Sequence, residues 1–203
     1  MGAYSPAPVV TPEVEARVLE RVIAPTIAGM AADGAPYRGF LYAGLMIDAD
    51  GHPRVVEFNC RFGDPEAQPV LARLETDLVQ LCLQAARGRL EFDTLAFDAR
   101  TALGVVLAAE GYPGAYDKGA EIRGLDAEAE DALVFHAGTA RDDAGRVVTS
   151  GGRVLCVVGL GASVTEAASR AYAGVERIDF AGMQYRRDIG HRAIAREGVT
   201  SDP

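Results

Sequence analysis

The residues best suited to chemistry lie in one run, Val55-Val56-Glu57-Phe58-Asn59-Cys60-Arg61-Phe62-Gly63-Asp64-Pro65-Glu66. Side chains two apart on a strand share a face. The spacing therefore sets Glu57 beside Asn59 and turns Val56 and Phe58 the other way, toward a core. A carboxylate beside an amide oxygen is a pair of hard oxygen donors. Mg²⁺ takes such donors and completes its octahedron with water or phosphate oxygens. Arg61 keeps the same parity if the strand runs that far, and a guanidinium there would neutralise a phosphate or an acyl phosphate. Taken alone, the Glu-x-Asn pair occurs often by chance and reads as a solvated strand face. Asp64 alone reads as a turn residue and Glu66 as a helix-start acid.

The elements that must position this run are legible around it. Thr11-Pro12-Glu13 starts a helix: Thr11 caps it, Pro12 suits its first position, and Glu13 and Glu15 favour its positive end. Val14, Val18, Val22, Ile23, Ile27 and Met30 recur at helical spacing, and Pro25 should kink the helix. A strand over about 38–48 and another over about 53–59 flank Asp50-Gly51, a strong hairpin signal. Short helices are expected over about 68–74 and 76–87, the second stopped by Gly88. Residues 88–99 read as a domain junction. Strands follow over 101–109, 133–139, 146–149 and 153–160, with turns at 110–114, 142–145 and 150–152. Gly159-Leu160-Gly161 reads as a turn rather than a phosphate loop, since the rest of a dinucleotide fingerprint is lacking. Ser163-x-x-Glu166 is a capping box opening a helix to about residue 178. The run 185–189 is short and polar, and it either packs back on the body or approaches a phosphate.

Composition bounds the function. A chain of 203 residues, 49% apolar and 24% charged, is ordinary for a globular protein. A net charge of −9 argues against a general nucleic-acid partner, which would carry a basic stripe. No apolar run approaches 18 residues, so no membrane partner is expected. The start carries neither a basic nor an apolar leader region, so a cytoplasmic location is expected. Lys118 is the one lysine, so a catalytic lysine has a single candidate. Cys60, Cys82 and Cys156 are odd in number and lack CxxC spacing, so each reads as a buried, reduced thiol rather than a zinc ligand. His52 reads as a solvated turn residue and His136 as a structural hydrogen-bond partner.

EFNCRFGDPEAQ resembles the signature of the phosphoribosylamine–glycine ligases (glycinamide ribonucleotide synthetases) of the ATP-grasp group. MGAYSPAPVVTPE, PYRGFLYAGLMID, HAGT, VVTSGGRVLCVVGLG and MQYRRDIGHRA also resemble that family, in its order, so the similarity covers essentially the whole chain. The resemblance implies an α+β fold. The second half of an ATP-grasp domain (antiparallel hairpin plus helices, residues 1–90) precedes a small β-rich C-terminal domain with one main helix (residues 98–203). It implies carbon–nitrogen ligation in purine synthesis, with ATP as co-substrate and glycine and 5-phosphoribosylamine as the other substrates. A glycyl phosphate would form and then be attacked by the amine. Glu57 and Asn59 match the family's Mg²⁺ or Mn²⁺ ligands. Glu57, Asn59 and Arg61 would face the nucleotide, with Arg61 the catalytic residue on the transferred phosphate. Asp64, Pro65 and Glu66 would bind substrate or shape the loop beside it.

Many ATP-grasp enzymes carry another metal-binding acid on the preceding strand; here residues 39–47 hold none. The family's chain ahead of this region, with its glycine-rich loop and phosphate-contacting lysines, has no counterpart in the sequence. The chain is therefore expected to be inactive alone, with that N-terminal part as its partner. Two other readings compete. One is a non-catalytic metal- or nucleotide-binding module that pairs with another chain. The other is a different ATP-grasp carboxylate ligase, which the RFGDPE run fits less well.

Overall fold

The computed structural model describes residues 1–92, 94–126 and 132–199. Residues 127–131 and 200–203 of the second expected domain lie outside them. The elements run β1 (Gly2–Ser5), α1 (Pro12–Val18), a π-helical turn (Leu19–Ile23), α2 (Ala24–Ala32), β2 (Tyr42–Ile47) and β3 (Pro53–Asn59). They continue with α3 (Ala67–Arg73), α4 (Leu78–Arg87), β4 (Thr101–Ala109), β5 (Ala132–His136), β6 (Thr139–Arg141), β7 (Val147–Thr149) and β8 (Arg153–Gly161). The last are α5 (Val164–Val175), β9 (Met183–Gln184) and α6 (His191–Val199). They form two compact units that interleave in the chain: Met1–Ser5, Asp64–Arg73 and Asp98 onward in one, Pro6–Gly63 and Leu74–Phe97 in the other.

The first unit is built on an antiparallel sheet of order β1-β4-β8-β5, with β9 on β4. All nine residues of β4 are buried. An apolar run without alternation makes such a strand, because both faces must be covered. Leu103, Val105 and Leu107 face Val164, Ala167, Ala171 and Val175 of α5 and Ala193 of α6. Ala102 and Val106, with Cys156, Val158 and Leu160 of β8, face Met1, Ala72 of α3 and Phe135. Gly104 lies close to β8 and α3: a Cβ there would stand 3.1 Å from Cys156 Sγ, a tight approach, and 3.5 Å from Pro69 Cδ, an ordinary contact.

Two expectations change here. Gly159 and Gly161 belong to β8, not to a turn. A Cβ at Gly159 would stand 2.3 Å from the Ala167 carbonyl oxygen of α5, so the helix backbone lies directly on the strand. The polar tail contains a helix, α6, beside the single main helix expected. Its Glu197 carboxylate accepts from the backbone N–H groups of Val164 (2.6 Å) and Thr165 (3.1 Å), at the positive end of α5. Ser163 caps the same helix from Glu166 N, and Glu166 accepts from Ala162 N, as the capping box requires in outline.

In the second unit, Thr11 accepts from Val14 N, and Pro25 sits in the first turn of α2, directly after the π-helical turn. A π-turn ahead of a proline is one way a helix absorbs the lost hydrogen bond. The β2–β3 hairpin turns at Gly51, whose φ is 75°, a left-handed value that favours glycine. Asp48 accepts from the N–H groups of His52 and Asp50, and these hold its carboxyl below the usual carboxylate range. Asp77 caps α4 through Gln80 N, and Gly88 closes it at φ 72°.

The core expected behind the hairpin is not there. Val56 is 67% and Phe58 41% exposed, and Val55, of the opposite parity, is also exposed. A bulge at the Gly44/Leu45 register shift interrupts the alternation. Both parities being exposed, neither face of β3 is fully covered within this unit. Cys60 and Cys82 are likewise exposed, and only Cys156 is buried, so the expectation of three buried thiols fails at two. Burial first, and the Asp64 charge second, push the Cys156 thiol up to about 12.

Two outcomes follow. Leu107→Ala should destabilise the protein by about 2–5 kcal/mol in chemical denaturation, against under about 0.5 kcal/mol for Val55→Ala; equal losses would contradict the burial described. Ellman's reagent should titrate two thiols in the native protein and a third only after unfolding. Three fast thiols would mean that β8 is not sealed.

Candidate metal and phosphate site

Strand β3 places Glu57 opposite Gly44 and Asn59 opposite Tyr42. Gly44 matters locally: a Cβ there would stand 3.1 Å from Glu57 Cγ, so its absence gives the glutamate stem room. Glu57 and Asn59 do share a face. Asn59 Nδ2 donates to Glu57 Oε1 at 3.0 Å. This bond ties the two side chains together and does not use Glu57 Oε2 or Asn59 Oδ1. A carboxylate and an amide oxygen are the hard donors that Mg²⁺ or Mn²⁺ accepts, and two protein ligands suffice where phosphate and water complete the shell. No group of three or more His, Cys, Asp or Glu suited to a metal occurs among the described residues. A cation here would therefore depend on a co-ligand.

Arg61 lies past the end of β3, so strand parity does not place it on the Glu57–Asn59 face. Its side chain is exposed, and Nη1 donates to the Phe62 carbonyl at 2.7 Å. The ring of Phe62 packs on Phe40 with centroids 4.1 Å apart. Asp64 pairs with Arg153 of β8, Oδ2 to Nη2 2.8 Å. The Asp64–Pro65 peptide bond is cis. The Glu66 carbonyl accepts from Val70 N at 3.2 Å, which puts Glu66 at the head of α3.

Residues outside this run have structural partners. His136 Nδ1 is 3.0 Å from Thr139 Oγ1, and His191 Nδ1 donates to the Asp188 carbonyl at 2.9 Å. His52 Nδ1 lies 3.3 Å from Arg21 Nη1, a partner its solvated reading did not include. Lys118 is exposed in a loop. The tail packs on its own unit, with Ala193 and Ile194 in or against the core. Arg186 and Asp188 pair through two hydrogen bonds.

Sequence reasoning missed Arg153 and Arg73. Arg73 donates to the carbonyls of Asp98 and Arg100 and to Ser5 Oγ, tying three distant stretches of one unit together. Neither role has a local signal, since each partner is remote in the chain.

Two models of one family match the chain. The phosphoribosylglycinamide synthetase ATP-grasp (A) domain matches residues 1–67 and the C domain of the same enzyme matches residues 102–192. The phosphoribosylamine–glycine ligase of Allochromatium vinosum is 61% identical over 97% of the chain, and that of Salmonella typhimurium 60% over the same share. The chain spans about half the length of these relatives, 46% of each. The crystal structure of phosphoribosylamine–glycine ligase from Thermotoga maritima superposes with a TM-score of 0.80 at 39% identity, over 93% of this chain and 46% of that one. The biotin carboxylase domain of a Hydrogenobacter thermophilus carboxylase, at 18% identity and a TM-score of 0.63 over 92% of this chain and 40% of that one, shares the fold. With both of its matched domains in order and the DPE turn built between strand and helix, the chain belongs to the phosphoribosylglycinamide synthetase family, whose ATP-grasp and C domains it carries in part.

Proposed function

We propose that the chain is part of an ATP-dependent ligase joining glycine to 5-phosphoribosylamine, giving glycinamide ribonucleotide, ADP and phosphate in cytoplasmic purine synthesis. The inherited domains would run over 1–90 and 98–203. The observation that carries this reading is the Asn59–Glu57 hydrogen bond, which holds a carboxylate and an amide side by side on an exposed strand in a chain of this family.

In this reading Glu57 and Asn59 hold Mg²⁺ or Mn²⁺. When bound, the metal supplies charge neutralisation for the nucleotide phosphates. Gly44 gives Glu57 its space, and the Asn59 amide orients the Glu57 carboxylate. Arg61 would hold the phosphoryl group by its charge as it passes from ATP to the glycine carboxylate, releasing its hydrogen bond to the Phe62 carbonyl. The amine of phosphoribosylamine then displaces that phosphate from the glycyl carbonyl. Asp64, Pro65 and Glu66 shape the loop beside the substrates. A pair of exposed oxygens is weak alone, and nucleotide phosphates would raise its metal affinity.

Mn²⁺ titrated into the ¹⁵N-labelled chain should broaden the amides around Glu57 and Asn59 first, and Glu57→Gln should raise the concentration required about tenfold. Broadening centred elsewhere would end the assignment. The chain alone should show no glycine-dependent ADP release. Joined to the upstream part of the Allochromatium vinosum relative it should regain it, and Arg61→Ala should then lower the rate by about 10²–10³, the usual loss for one donor to a charged transition state. Turnover by Arg61→Ala at the full rate would remove Arg61 from the chemistry.

A further inference from the structure

We propose that Phe40 is a positioning residue for Arg61: its ring packs on that of Phe62 and so fixes the carbonyl on which the Arg61 guanidinium rests. The inference rests on the reading of Arg61 given above, and every residue in it belongs to the unit that carries the hairpin. The ladder between β2 and β3 closes with the pair Tyr42–Asn59, so strand pairing does not reach Arg61. The Arg61 side chain is exposed and donates to the Phe62 carbonyl at 2.7 Å. A long side chain that rotates freely loses rotamer entropy when it takes up a phosphate. A guanidinium resting on a fixed carbonyl starts from a narrower set of rotamers, so less remains to be lost.

That carbonyl is only as fixed as Phe62. Phe40 precedes Tyr42 by two residues and Phe62 follows Asn59 by three, so the two rings meet just beyond the last ladder pair. Their centres are 4.1 Å apart and their planes are inclined by 31°. Aromatic pairs hold together by more than the area they bury. The contact thus carries the hairpin one step past its backbone hydrogen bonds, as a cross-strand pair does within a sheet. Phe40 is seated in turn. Tyr37 Oη donates to the Phe40 carbonyl at 2.6 Å. Gly39, directly before it, has a φ of 134°, a value that L side chains rarely adopt. A Cβ at Gly88 would stand 2.4 Å from Arg38 Cζ, so the Arg38 guanidinium lies on the glycine that closes α4. The restraint runs from the end of α4 through residues 37–40 to the Phe62 ring, and from its carbonyl to Arg61.

The test uses the chain itself, ¹⁵N-labelled, at low ionic strength, and reads the Arg61 Nε–Hε resonance. Phe40→Leu removes the ring and keeps an apolar side chain. It should lower the heteronuclear NOE of Arg61 Nε. It should also raise, by about three- to tenfold, the inorganic phosphate concentration that half-saturates the shift of that resonance. Phe40→Tyr keeps the ring and should leave both at their native values. Adding Phe62→Leu to Phe40→Leu should change neither further, because the two rings act as one contact. The Mn²⁺ concentration that broadens the Glu57 and Asn59 amides should stay unchanged throughout, since their own hydrogen bond holds that pair. An Arg61 NOE unmoved by Phe40→Leu, a Phe40→Tyr chain that loses it, or a parallel change in the Mn²⁺ response overturns the proposal. The last would mean that the rings hold the whole hairpin rather than Arg61. If Phe40→Leu does not fold, Phe62→Leu against Phe62→Tyr decides on the same readouts. Indifference of the native Arg61 to phosphate counts against the phosphate reading instead, and the NOE comparison still judges the positioning.

Discussion

Strand β4 must be covered on both faces, and the organisation of the larger unit follows from that. Its nine residues are all buried, and apart from Thr101 they are apolar or glycine, so each face needs a layer. Helices α5 and α6 supply one. The other comes from α3, the helix that begins where the Asp64–Glu66 turn ends, with Ala72 packed against it and Pro69 fully buried. The core therefore recruits the downstream end of the functional run. Arg73 closes this layer from the far end of α3, its half-buried guanidinium satisfied by two carbonyls and a hydroxyl. Burial lowers the pKa of Arg73, but its partners keep the charge hydrogen-bonded rather than stranded.

The hairpin that carries Glu57 and Asn59 is governed by different physics. It is held by its ladder, the Asp48 turn and light packing, while Val55, Val56 and Phe58 remain exposed. Two strands without a covered face are marginal in water. The polar pair is nevertheless ordered locally, because the Asn59 amide bonds directly to the Glu57 carboxylate. Preorganisation at the scale of two side chains thus coexists with an apolar surface at the scale of the strand.

Much of this was legible in the sequence because it is local. Thr11 as a cap, Gly51 and Gly88 as left-handed positions, and the two-residue spacing of Glu57 and Asn59 each depend on neighbours within one turn or strand step. What failed was what depends on the third dimension. Val56 and Phe58 have core chemistry, but parity assigns a face without saying whether anything covers it. The same blindness put Cys60 and Cys82 inside. Gly159 looked like punctuation because glycine usually is, and only the approach of α5 shows it to be a strand residue under a helix. Helix α6 is short and polar, and its anchor at the start of α5 lies far back in the chain.

The close seat of α5 on β8 has a consequence for how this sequence can change. Alanine is abundant along the chain, and a position with open space around it, such as Gly29, could take one. Gly159 and Gly161 cannot. One methyl group at either would collide with backbone atoms of α5, which have no rotamer with which to retreat. At these two sites the helix rejects the smallest step a side chain can take. The helix and strand thus act as a filter on substitution, and the filter is nothing more than the thickness of a Cβ.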